Sequence, residues 1–384
     1  MNSRDSKTAQ LFGALAIVMA SASASAALPV YRIVDLGVVD GQFSGSGLSS
    51  AAGINNLGQV VGWSQVAPGK ARQASVWQNG SPAELGVPDF PYNRFATAVN
   101  DSGVVVGYSD FSPAGNGPQS EAFHARLWNK GKVTDLGQGI AKGVNNHGQV
   151  VGNSYSATGQ VNRATLWHNG KATQLPTIGT APNSFAYSYA NAINDAGQVV
   201  GYSAGPDFSD HATLWQNGQA IDLVDPADTG YSYAYDINSQ GFIAGSKDDK
   251  AVVWHDGVQI SLGTLDGADA DALSSANAIN DAGQVVGWIG GNGQDRRAFL
   301  WTAESGMVAL DSLIDPNDPL KSLVTFDSVL DINSQGQIVG GALIQRNGNE
   351  WHAYMLTQVP EPATWGLAFA GLLVAGAATR QKKA

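Results

Sequence analysis

Histidine is the side chain best suited to metal or proton chemistry, and this 384-residue chain has six of them. Their placement argues against a shared metal. His124, His211 and His352 each precede an alanine that recurs along the chain, and the same place elsewhere holds Gln73, Arg163, Lys250 or Arg297. A position that accepts glutamine, arginine and lysine is a polar rim position, not a ligand set. His147, His168 and His255 fall in or beside turn signals and are expected to be solvated. Two carboxylate groups, Asp266, Asp269 and Asp271, and Asp315 with Asp318, offer the oxygen ligands calcium takes. They lack the alternate-residue order and central glycine of a calcium loop, so solvated loop carboxylates are the favoured reading and no cofactor is required. Cysteine is absent, which removes disulfides, thiolate metal sites and a cysteine nucleophile. No GxSxG, HExxH, Walker or dinucleotide-binding glycine pattern occurs, so no catalytic residue is assigned. Carboxylate pairs for glycoside chemistry could face one another in the folded chain, but spacing alone does not bring two loops to the required separation.

Aromatic residues are the more suggestive set. Phe90, Tyr92, Phe111, Phe208, Tyr231, Tyr233 and Trp351 stand beside Asp, Asn and Gln in segments between the regular runs described next, as do Tyr155, Phe185 and Tyr187. Rings that stack on apolar faces, with polar groups to fix orientation, make a sugar- or protein-binding surface. The plainer reading is that several of them pack loops onto the body.

The elements that must position these residues are repeats. Ala190–Leu223 contains four short apolar runs: AxAIN ending at Asn194, QVVGYS from Gln198, ATLW from Ala212 and QAIDL from Gln219. Each has the length and Val/Ile/aromatic content of a strand. Asn194-Asp195-Ala196-Gly197 and Gln216-Asn217-Gly218 supply hairpin turns between them, because Asn and Asp bond the local backbone and Gly accepts positive φ. The unit is a four-stranded antiparallel meander. Its asparagine recurs at 55, 100, 145, 194, 238, 280 and 333, spaced 42 to 53 residues apart. A glycine follows three residues later in all seven copies and another four residues after that. The first suits the left-handed turn position, and the second, inside a strand, suggests a bulge or a close backbone approach.

Four strands per unit at this period predict an all-β fold, a seven-bladed β-propeller. Fourth strands are counted at Ile33–Gly37, Ala83–Gly86, Val133–Gly137, Ala172–Leu175, Ala220–Leu223, Gln259–Gly263 and Met307–Leu310. The first precedes the first hairpin and the last unit lacks its own, so the N-terminal strand is expected to join the last blade and protect its edge. Small residues at Ala52, Gly53, Ala98, Gly143, Ala192 and Ala278 suit innermost strands. The tight turns then fall on one face of the disc and the variable connections on the other, the usual place for binding.

The ends differ from the body. Arg4 and Lys7, an apolar run Leu11–Ala20 and the small residues Ala24-Ser25-Ala26 have the order of a secretory signal peptide over residues 1–26. The body spans 27–358. At 359–384, Val359-Pro360-Glu361-Pro362 precedes an apolar run to Thr379 and then Arg380, Lys382 and Lys383, a short membrane segment with a basic, cytoplasmic end. Without the leader's net +1 and the tail's three cations, the chain's charge of −11 becomes −15, with nothing basic clustered, which excludes a nucleic-acid partner.

Two resemblances follow. The tail resembles the PEP-CTERM sorting signal, with Pro360, Glu361 and Pro362 as its motif. That resemblance implies transient inner-membrane anchoring, processing by an exosortase, and export to the cell surface or beyond alongside exopolysaccharide. The repeats resemble the extracellular HAF family, whose His-Ala-Phe stretch survives in part at His124-Ala125, His211-Ala212, His352-Ala353 and Arg297-Ala298-Phe299. No known activity comes with that family. The combined expectation is an exported binding or structural module at the surface matrix, with exopolysaccharide as its partner. A polysaccharide hydrolase or lyase on the same scaffold is the alternative, and the reading favours no enzyme.

Overall fold

A computed structural model describes residues 28–39, 47–67, 69–86, 92–110, 123–155, 162–178, 187–205, 207, 209–225, 228, 230–269, 271–291, 296–345 and 349–360. The signal segment and almost all of the tail lie outside it. Among the described residues the fold is all-β, with one 3-10 turn at Leu310–Leu313. Five sheets have four antiparallel strands each, and a sixth has seven.

The first sheet runs Leu48–Ile54, Val60–Gln65, Gln73–Gln78 and Ser81–Glu84 in sequence order, and each later repeat copies that meander. The seven-stranded sheet departs from the expectation of a separate fourth strand at Val133–Gly137. There Lys132–Val144 is one continuous strand, pairing with Phe123–Asn129 through its first half and with Val150–Tyr155 through its second. It is the last strand of one meander and the first of the next, passing from one partner to the other between Gln138, opposite His124, and Gly139, opposite Ser154. The C-terminal sheet is completed from the other end of the chain. Tyr31–Asp35 pairs antiparallel with Asn349–Gln358, Tyr31 opposite Gln358 and Asp35 opposite Tyr354.

Both glycine columns have structural reasons. Gly58, Gly103, Gly148, Gly197, Gly241, Gly283 and Gly336 all have φ between +71° and +84°. Gly62, Gly107, Gly152, Gly201, Gly245, Gly287 and Gly340 instead oppose the first strand of their sheet where its register shifts by one residue. A Cβ at any of them would collide with a carbonyl oxygen of that strand. At Gly53 and Gly143 a Cβ would press on backbone of the next first strand (Thr97 and Ala98; Asn191 and Ala192), which is why those two positions are glycine.

The core lies between sheets. Val151 and Ala164 of one sheet pack with Ala190, Ile193, Val199 and Trp215 of the next. The same arrangement joins the C-terminal sheet to the first, through Val339, Ala353 and Leu36 against Ala51, Ile54, Val60 and Trp77. The short apolar runs are therefore buried on both faces, Ala on one and Trp on the other.

Candidate functional site

One end of the molecule is closed by asparagine. Asn55 donates through Nδ2 to the backbone carbonyl of Asn100 at 2.9 Å, and Asn100, Asn145, Asn194, Asn238 and Asn280 each donate to the next in turn. Asn333 donates back to the carbonyl of Asn55 at 3.0 Å, so the series is a circle. The Oδ1 of Asn55 accepts from Leu57 and Gln59 in its own turn, and its 3% exposure leaves no polar group unmet. A cavity of about 230 Å³ opens inside the circle, rimmed by the residues that follow each asparagine, among them Asn56, Asp101, Asn146, Asp195 and Asp281. Asp101, Asp195 and Asp281 are tied by backbone N–H groups of the preceding sheets, Asn56, Asn146 and Ser239 respectively. Their role is joining sheets.

Asp236 and Asp331 stand where other sheets carry Gly or Ala. Each reaches the next sheet: Asp236 accepts from the Ile279 N–H at 2.9 Å and Asp331 from that of Ile54 at 2.8 Å. Burial, and after it the charge of Asp236, push the Asp331 carboxyl up to about 7. A carboxyl whose folded pKa is raised favours folding in its neutral form. That stability is complete below the unfolded carboxyl range near ~4 and is lost as pH rises towards 7. Melting temperature is therefore expected to fall from pH 5 to pH 8, and to fall by a few degrees less in Asp331→Ala, whose side chain matches Ala98, Ala192 and Ala278. Parallel pH profiles for the two proteins would show that this carboxyl is ionised throughout.

The histidines of the recurring alanine position are not bare rim groups. His124, His211 and His352 bond Asp135, Asp222 and Asp35 across the third and fourth strands, at 3.0, 2.7 and 3.0 Å. Each of these aspartates also accepts a backbone N–H two residues on, from Gly137, Val224 and Gly37. His211 is only 2% exposed, held on its other side by Ser209 Oγ at 3.0 Å and Asp207 at 3.1 Å. Ser209, His211 and Asp222 thus stand in the order of an acyl-transfer relay. Ser209 Oγ, however, donates to Asp207 Oδ2 at 2.6 Å, and the His–Asp pair recurs in two sheets as part of their strand pairing. Asp318 likewise departs from the solvated reading. It is 8% exposed and accepts the Ile33 N–H at 2.7 Å, anchoring the N-terminal strand. Among the described residues no group of three or more His, Asp or Glu is arranged to hold a metal ion.

The aromatic residues gather at the end opposite the asparagine circle. Tyr187 and Tyr233 donate their hydroxyls to the two oxygens of Asp210, at 2.7 and 2.8 Å. Tyr189 stacks on its cross-strand partner Tyr202 with centroids 4.9 Å apart, Tyr202 meets Tyr233 edge-on at 5.0 Å, and Tyr233 stacks on Tyr235 at 6.2 Å. Asn162 donates to the Tyr189 hydroxyl at 2.7 Å. Burial, with Asp210 beside them, holds the hydroxyls of Tyr187 and Tyr233 well above the usual phenol range, so both stay protonated donors. Trp63, Phe95, Tyr108 and Phe123 form a similar chain of ring contacts on the first two sheets, with the Arg72 guanidinium 4.2 Å from the Trp63 ring.

Of the expected ligand-binding residues, Tyr231 and Tyr233 fall in or beside the tyrosine cluster. Tyr233 lies within a strand, not a connection, as does Trp351, which sits opposite Leu343 in the C-terminal sheet. Tyr92 is half-buried just before Arg94–Val99, while Phe90, Phe111 and Phe208 lie outside the described residues. Tyr187, already among the aromatic candidates, joins them, and the structure adds Tyr189, Tyr202, Tyr235 and Asp210. Only an alternating Tyr-x-Tyr pattern at 187–189, 231–233 and 233–235 could have drawn attention to most of them.

Pro360 is the last described residue, at the exposed end of the body, and Glu361 and Pro362 lie beyond it. Residues 358–383 match the PEP-CTERM protein-sorting motif. The motif marks an exported protein, sorted by an exosortase through a membrane-anchored stage. No curated protein matches the chain. Solved structures that resemble it include TolB from Acinetobacter baumannii (10% identity, TM-score 0.41, covering 79% of this chain and 80% of that one). A Pyrococcus horikoshii acylaminoacyl peptidase is 13% identical with a TM-score of 0.49; the match covers 87% of this chain but spans only 55% of the peptidase. A Dyadobacter fermentans protein of unknown function is 11% identical with a TM-score of 0.40, covering 85% and 98% of the two chains.

Proposed function

We propose that the mature chain is a seven-bladed propeller of HAF-type repeats, serving after export as a non-catalytic binding module for extracellular polysaccharide at the cell surface or in its matrix. The observation that carries this reading is the contrast between the two ends. One carries a circle of asparagines whose amides are spent on the next repeat's backbone and whose oxygens are spent on their own turns, and the other presents half-exposed aromatic rings with polar groups among them. The circle of asparagine bonds, the core shared by the C-terminal and first sheets, and the seven equal repeats all support the closed ring. The first test is binding: mature protein recovered from the native surface should be retained by extracted exopolysaccharide without shortening it. Release of new reducing ends would favour instead the hydrolase or lyase alternative.

Export supplies a further test. Proline disfavours helix in the residue before it, so the Pro360-Glu361-Pro362 sequence suits a stretch that a protease must read in extended form. Mass spectrometry of the surface form should find a C-terminus lacking Leu367–Ala384. Changing Pro360, Glu361 and Pro362 to Ala should retain uncleaved protein in the inner membrane. Intact Lys383 at the surface, or normal processing of the triple variant, would mean an ordinary anchor.

A further inference from the structure

Five of the chain's eleven tyrosines, at 187, 189, 202, 233 and 235, gather around one carboxylate, that of Asp210, with Tyr155 beside Tyr189 and Tyr231 beside Tyr187. Resting on the binding-module reading, we infer that this cluster, centred on Asp210, is the ligand site and takes a pyranose bearing a protonated amine, as in a deacetylated hexosamine polymer.

Access comes from the neighbouring sheet. Its second and third strands, Ile243–Lys247 and Lys250–His255, are joined by Asp248 and Asp249 alone, whereas three to twelve residues make that connection in the other repeats. Both aspartates have positive φ, 48° and 58°, the tight two-residue hairpin that Asp tolerates. The low wall leaves Tyr231 59% exposed beside the cluster, with its carbonyl bonded to the Asp248 N–H.

The chemistry of the site selects a cation. Two tyrosine hydroxyls lock the orientation of the Asp210 carboxylate, one on each oxygen, and among the described residues neither oxygen has a further partner, so each keeps a lone-pair direction for a ligand N–H. Tyrosine ring faces also attract cations, so carboxylate and rings favour the same charge. On the neighbouring sheet, the Lys247 ammonium is engaged by Asp228 and Asp248 at 2.8 and 2.6 Å. A body of charge −15 repels uronates and other polyanions. A sugar ring carrying an ammonium meets all three conditions, its apolar face on tyrosine and its charge towards Asp210. The tyrosines are pre-set by their mutual packing, so little ordering cost falls on binding.

Titration of the mature protein with a fully deacetylated glucosamine hexamer, its N-acetylated counterpart and oligogalacturonate at pH 6 tests the assignment. The deacetylated hexamer should bind at least about tenfold more tightly than the acetylated one, and the uronate should not bind. Asp210→Asn, nearly isosteric, should weaken binding of the deacetylated hexamer by about tenfold or more with an unchanged melt. Should that variant fold poorly, Tyr231→Ala at the exposed edge should weaken binding without touching the fold. Equal binding of the two hexamers, or full affinity in a folded Asp210→Asn protein or in Tyr231→Ala, overturns the site. If extracted exopolysaccharide still binds in that event, the module reading stands without this ligand; if no polysaccharide binds, that reading falls as well.

Discussion

Replacing Gly201 with alanine should cost far more stability than adding a methyl at a turn glycine of the same sheet. The new Cβ would run into the carbonyl oxygen of Tyr189, a backbone atom that no rotamer change can move. Relief requires the strands Ser188–Ile193 and Val199–Ala204 to part at their register shift, where Ala190 faces Gly201. Overpacking commonly costs about 1–3 kcal/mol, and a backbone collision belongs at or above the top of that range. Gly218 is the control. It has φ +76°, but a Cβ there meets nothing within 4 Å, so Gly218→Ala bears only the left-handed penalty of about 1–2 kcal/mol. Thermal melts should rank wild type above Gly218→Ala and Gly218→Ala well above Gly201→Ala. Equal melting of the two variants would mean that the close approach is not there.

The second large effect is expected from removing Tyr31–Gly37. Tyr31, Ile33 and Leu36 are 0%, 8% and 2% exposed and belong to the cores on either side of the C-terminal sheet. Burying each contributes about 1.5–3 kcal/mol, so their loss alone approaches the whole stability of about 5–15 kcal/mol typical of a domain. The deletion also strips the partner of Asn349–Gln358, leaving an open strand edge that invites association. The truncated protein should melt far below the intact one and scatter light as it does. Arg32→Ala removes only an exposed side chain 3.5 Å from Asp315 and should be nearly neutral. A truncated protein that melts like the intact chain would show that the N-terminal strand does not fasten the structure.

Much of this fold was legible in the residues because the features concerned are local. A glycine at +71° to +84° is needed wherever an Asn-x-x-Gly turn closes, whatever surrounds it. Strand length, hairpin chemistry and the missing last strand of the final repeat follow from patterns a few residues wide. Even the position of the close-approach glycine could be read, because a glycine repeated inside a strand has few other reasons.

What the tertiary structure alone decided are the contacts between repeats. The asparagines looked like turn residues, and their side-chain oxygens do serve the turns; that their amides bond a carbonyl 42 to 53 residues away, and finally one 278 residues back, is visible only once the sheets stand side by side. His211 read as a polar rim position because Gln, Arg and Lys share its place in other repeats, and Asp318 as a solvated loop carboxylate. Both are buried because partners from other strands, Asp222 and the Ile33 N–H, satisfy them. Asp331 has a raised carboxyl because packing against the next sheet buries it and, after that, because Asp236, 95 residues earlier, faces the same interior. The tyrosine cluster follows the same logic. Composition and spacing placed aromatic residues at one end, but which rings meet around Asp210 depends on how adjacent twisted sheets bring their strand ends together. A period-2 pattern records the face a side chain takes and carries no information about its neighbour on the next sheet.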